Sequence, residues 1–180
     1  MTVGTRSLLI GAHCFFLHPF FVAWAWWKLY GFPFDPRLWC AFFLHDIGYF
    51  GKPNIDGPEG KTHPRLGAMI MSLLFDYGGS TRWWDFTLFH SRSTAKSFGR
   101  EPSALCLADK YAMALEPRWL YLFRVRLTGE IVEYTTHYLL NTKRPTTPVP
   151  LQMLTVPQLQ AVWYDYVHHD SLTIVARSGD

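Results

Sequence analysis

The stretch "FFLHDIGYFGK" sets a histidine and an aspartate side by side, His45 and Asp46, after an apolar run and before a glycine-rich segment. Burying such a pair costs on the order of several kcal/mol unless the groups are hydrogen-bonded or hold a metal. Four more residues of the same chemistry punctuate the chain. His18 and His63 each stand directly before a proline, His90 falls where an apolar run ends, and Asp109 lies within "CLADKYAM". Imidazole nitrogen and carboxylate oxygen together suit first-row transition metals. Six such donors exceed what one tetrahedral site can use, whereas two ions sharing a ligand would use them all.

Donors this far apart in sequence need helices to bring them together. Pro19 divides the apolar stretch "LLIGAHCFFLHPFFVAWAWW" into pieces too short to span a bilayer. A proline is favourable at a first helical position, so a helix is expected over 19–30, ended by Gly31, with His18 at its start. Asp35 and Pro36 open the next helix, which runs toward His45. Seven glycine, proline and asparagine residues over 48–60 make a loop, followed at Pro64 by a helix that Gly78 and Gly79 end. Ser80 or Thr81 caps a helix reaching His90, and after a polar turn Pro102 and Ser103 start the helix that carries Asp109. Helices are also expected over 129–140 and from Thr155 to about 168. The expected fold is all-α, a bundle of six or seven short helices forming a single domain over 1–180. Its motifs lie within about 13–115, and 116–180 forms a helical extension packed on it.

The ordered set His18, His45-Asp46, His63, His90, Asp109 resembles the HD-domain superfamily of metal-dependent phosphohydrolases, which are all-α. "LHPFFVAWA" is similar to the family's first-helix pattern, "FFLHDIG" to its hallmark, "THPRLGAMI" to its third motif and "ALCLADKYAMAL" to its last aspartate helix. The resemblance implies that Asp46 bridges two metal ions, with His18, His45 and Asp109 on one and His63 and His90 on the other. A metal-bridging hydroxide would then attack a phosphate ester or anhydride of a small molecule or nucleotide. The implied ions are divalent transition metals, iron, manganese, cobalt or zinc, with magnesium a poorer fit. His13 competes with His18 for the first ligand position; the helix start at Pro19 favours His18, as in the family.

Lys52, Lys61, Arg92, Lys96 and Lys110 are candidates to neutralise substrate phosphate, and Tyr49 is a candidate substrate contact. Tyr49 stands where many two-metal HD phosphodiesterases carry a phosphate-contacting lysine, and their "GYP" motif is missing, which argues against cyclic-dinucleotide hydrolysis. HD-type mixed-valence di-iron oxygenases, which cleave C–H or C–P bonds, use the same six ligands. A non-catalytic metal-binding or membrane-associated protein is the remaining class.

Composition narrows the setting. Hydrophobic residues make up 49% of the 180 residues and charged residues 17%, which is globular rather than disordered. The net charge of +3 comes from scattered cations, so no nucleic-acid footprint is expected. Three widely spaced cysteines read as free thiols of a reducing compartment, and no secretory signal pattern opens the chain, so the expected location is the cytoplasm, without membrane attachment. Eight tryptophans leave room for a stacking pocket or a homo-oligomer face beyond core packing.

Overall fold

Prolines and caps set where the helices begin. In the computed structural model, residues 1–55 and 57–128 are described, together with the segments 133–138, 148–150 and 172–176. The chain divides into two compact units, Met1–Glu130 and Ile131–Asp180. The described residues of the first are all-helical: α1 (Val3–Ile10), α2 (His18–Tyr30), α3 (Pro36–Leu44), α4 (Pro64–Phe75), α5 (Arg82–Leu88), α6 (Arg92–Ser97), α7 (Ala104–Leu115) and α8 (Arg118–Thr128). Short 3-10 turns fall at Ile47–Tyr49 and Gly60–Thr62. Among the described residues, no helix is long and apolar enough to cross a membrane.

α2, α3 and α4 each begin with proline in the first turn, as the sequence implies. Asp35 accepts the Arg37 backbone N–H at 2.9 Å and so satisfies a free donor at the start of α3. α4 ends at Phe75, ahead of Gly78, because Asp76 turns away to cap α5. Its two carboxylate oxygens accept the backbone N–H groups of Trp83 and Trp84, each at 2.9 Å, whereas Ser80 accepts that of Arg82 at 3.3 Å. The polar turn expected after His90 contains the short helix α6.

The principal packing is α2 against α7 and α4 against α5. Small residues make the first contact close: α2 buries Val22, Ala23 and Ala25, and α7 buries Cys106, Ala108 and Ala112. Phe42 and Met71 are fully buried, each contributing about 1.5–3 kcal/mol by leaving water. α8 is tied to the same unit by Arg124, which donates to both carboxylate oxygens of buried Glu116 and to the Gly11 carbonyl.

The second unit contains a three-stranded antiparallel sheet, β1 (Glu133–Tyr138), β2 (Pro148–Pro150) and β3 (Leu172–Ala176), in the order β2-β1-β3. Thr136 faces Pro150 on one side of β1, and Glu133 faces Ala176 on the other. Over 133–138 this corrects the helix expected for 129–140. The β1 sequence "EYTTHY" is rich in β-branched and aromatic residues, which favour a pleated surface over a helix. The helix expected from Thr155 to about 168 lies outside the described residues.

Candidate metal centre

Four of the donors sit at element ends. His18 is the first residue of α2, His45 follows α3, His63 follows the 3-10 turn Gly60–Thr62, and His90 lies two residues past α5. Asp46 precedes the 3-10 turn Ile47–Tyr49, and Asp109 lies midway along α7. All six are buried, and they meet at one place.

Three of the histidines are oriented by the same local device. The Nδ1–H of His45 donates to the Phe42 carbonyl at 2.8 Å, that of His63 to Gly60 at 2.7 Å and that of His90 to Thr87 at 2.7 Å. A carbonyl only accepts, so Nδ1 must carry the proton, and in the neutral ring Nε2 presents a bare lone pair. The lone-pair nitrogens of His63 and His90 then face each other at 3.0 Å. Two lone pairs repel at that distance unless a proton or a cation lies between them.

Asp46 is the shared element. Its Oδ1 lies 3.4 Å from His63 Nε2 and 3.5 Å from His90 Nε2, and its Oδ2 lies 3.1 Å from His45 Nε2 and 3.7 Å from His18 Nε2. Asp109 Oδ1 completes the second set, 2.9 Å from His18 Nε2 and 3.7 Å from His45 Nε2. The donors fall into two groups, His18, His45, Asp46 and Asp109 on one side and Asp46, His63 and His90 on the other, and these buried groups could hold metal ions.

The chemistry of the donor set fits that reading. Donors about 2.1 Å from a common ion stand about 3.0–3.4 Å apart along a coordination edge, and the separations here, 2.9–3.7 Å, straddle that range. His45 Nε2 and Asp46 Oδ2 are buried without a hydrogen-bond partner although only 3.1 Å apart. Orphaned polar atoms are costly unless something satisfies both.

Charge supports the same view. Burial opposes ionisation of Asp46 and Asp109, yet His45 beside Asp46, and Lys110 and His18 beside Asp109, hold both carboxyls well below their usual range. Burial and the neighbouring His90 drive the His63 imidazolium well below its usual range, leaving a neutral donor ring. For His45 burial also works against charge, but Asp46 and Asp109 outweigh it and raise the ring to about 10, so that without a cation in the cluster a proton takes the Nε2 position a metal would occupy.

His13 belongs to neither group. Its Nδ1 pairs with Ser7 Oγ at 2.9 Å, and its ring lies 4.4 Å from that of Tyr49. Tyr49 is buried and stacks flat on His63, with centroids 4.0 Å apart and planes 13° apart. The result is a ladder, His13 on Tyr49 on His63, that holds the outer face of one donor ring. Sequence reasoning treated His13 as a rival ligand and missed this supporting role; the signal was the small polar Ser7 in an apolar run, which gives His13 a partner of its own.

The candidate phosphate contacts scatter more. Lys110 Nζ lies 3.4 Å from Asp109 Oδ2, beside the cluster. Lys52 Nζ donates to Thr62 Oγ1 at 2.7 Å. Arg92 begins α6 just past His90, and its backbone bonds the Cys106 thiol. Lys61 and Lys96 are exposed, on the 3-10 turn before His63 and on α6.

The molecule thus defines an all-helical unit with a buried His/Asp cluster compatible with an HD-like metal site. In comparisons with family models, curated proteins and solved structures, nothing matches this chain.

Proposed function

We propose that this protein is a metal-dependent phosphohydrolase of the HD superfamily, acting on a phosphate ester or anhydride of a small molecule or nucleotide. The observation that carries the reading is the carboxylate of Asp46, whose two oxygens each face a separate pair of imidazole nitrogens. His18, His45 and Asp109 would hold one divalent ion and His63 and His90 the other, with Asp46 available to both. When bound, such a pair supplies Lewis-acid polarisation of phosphoryl oxygens and lowers the pKa of a water held nearby.

The chain's own residues do the rest. Asp46 fixes the spacing of the two halves, and its carboxylate would orient a water held beside them. The carbonyls of Phe42, Gly60 and Thr87 lock three imidazoles in the donor tautomer. Lys110 places a cation at the edge of the cluster, where it attracts an anionic substrate. Tyr49 covers the outer face of His63 and keeps water from it.

The test is phosphate release from a panel of nucleotides and sugar phosphates with manganese, cobalt or magnesium, in the wild type and in Asp46→Ala. Metal-dependent release abolished by the substitution is the expected result. Mixed-valence iron in the aerobically purified protein, with oxygen-dependent turnover and no phosphate release, would sink the hydrolase reading in favour of a di-iron oxygenase.

A further inference from the structure

α2 is amphipathic in an unusual sense. Its small residues Ala23 and Ala25 are buried with Val22, while Phe20, Trp24 and Trp27, spaced i, i+4 and i+7, share an exposed face. Phe16, just before the helix, and Phe32 and Phe34, just after it, extend the surface. Trp27 meets Phe32 with ring centroids 5.8 Å apart, and Phe32 meets Phe34 at 4.8 Å. The one charge within α2 is Lys28, folded over the Trp24 ring at 5.6 Å from its centroid.

We infer that this aromatic face is the two-fold interface of a homodimer. Six rings that bury about 150–250 Å² each when covered are exposed here by 43% at Trp24 to 86% at Phe34. Together they offer roughly 700 Å² per copy, above the 300–600 Å² of a typical monomer's largest apolar patch and near the ~800 Å² that each partner gives a standard interface. Aromatic enrichment with charge depletion is the composition of an interface core. A face without a charge pattern demands no complementary pattern from its partner, so a second copy related by a two-fold axis fits it directly. A lipid surface fits less well: membrane-lying helices carry flanking Lys and Arg, and the next cation along the chain, Arg37, is held by Asp35 at 2.7 Å.

The experiment is sedimentation velocity of the full chain at micromolar concentration, beside the Trp24→Glu/Trp27→Glu double variant and the single variant Phe34→Glu. The expected result is a wild-type species of twice the chain mass, a monomeric double variant, and dimerisation weakened at least about tenfold by Phe34→Glu. Phe34 lies in the α2–α3 connector at 86% exposure, so its substitution leaves the core intact and decides the matter if the double variant misfolds. A monomeric wild type would overturn the inference. So would a dimer indifferent to Phe34→Glu and the double variant, or wild-type binding to phosphatidylcholine/phosphatidylglycerol vesicles that the double variant loses.

Discussion

The two halves of the buried cluster are built from different kinds of backbone. His18 and Asp109 stand on α2 and α7, two helices of twelve or more residues packed through small side chains, and His45 ends a third helix. His63 and His90 follow a three-residue 3-10 turn and a seven-residue helix. The helical half has two carboxylates for two imidazoles; the turn-built half has two imidazoles and a share of Asp46. More negative charge and stiffer support should make the helical half the tighter metal site, and the turn-built half, with fewer protein donors, the one left open for ligand exchange.

Removing what the halves share has the largest effect. Asp46→Ala deletes a donor from both groups, so metal content measured by mass spectrometry should fall by more than the roughly 10–100-fold in affinity that loss of a mere supporting residue costs. Full occupancy in this variant would refute the bridging role. His63→Ala and Asp109→Ala then separate the halves. His63→Ala should leave one tightly held equivalent, and Asp109→Ala should weaken that equivalent and leave only weak sites. Equal loss of both metals in the two variants would show that the halves act as one.

A backbone change tests the turn-built half without touching a ligand. Gly48 lies so close to the His63 backbone that an added Cβ would sit 2.0 Å from the His63 carbonyl oxygen. Gly48→Ala must push that segment aside, at a cost of about 1–3 kcal/mol, which calorimetry should register as a Tm lowered by about 2–4 °C per kcal/mol in a chain of this size. Metal should be lost first from the His63/His90 side. Unchanged stoichiometry with a lowered Tm would mean that the turn holds stability but not the donor.

The same contrast explains what the sequence disclosed. Four of the six clustered residues are flanked by clear punctuation, Pro19 after His18, Pro64 after His63 and the helix–loop change at His45-Asp46, whereas Asp109 lies midway along α7 and stood out only through the ordered set. The starts of α2 and α3 follow from a proline in the first turn of each and, for α3, from the Asp35 cap, and were equally clear. What escaped depends on partners outside the element itself. Asp76 ends α4 early to cap a helix seven residues on, and Arg124 finds Glu116 just past the end of the preceding helix, pairings across a turn that helical periodicity does not show. The segment "EYTTHY" becomes a strand through pairing with residues near 150 and 174, which no local period reveals. The stacking of Tyr49 on His63 also needs the loop between them to fold back, although the missing lysine at that position had marked it as a departure.

The smallest effect concerns Cys106, which lies on α7 one turn before Asp109 and is fully buried in the helical half. Burial pushes its thiol up to about 12, with nearby Asp109 adding to the rise and Lys110 opposing it. The thiolate is the reactive form, and a pKa four units above pH 8 leaves roughly one part in ten thousand ionised. Half-buried Cys40, on α3, is the internal control. Iodoacetamide at pH 8, read by peptide mass spectrometry, should label Cys40 and leave Cys106 untouched until the protein unfolds. Because the clash in Gly48→Ala falls on the His63 backbone, away from the α2–α7 packing, Cys106 should stay protected in that variant even as metal leaves His63 and His90. Labelling of Cys106 in folded Gly48→Ala would mean that strain at the turn reaches the α2–α7 packing, and that the two halves share one cooperative support.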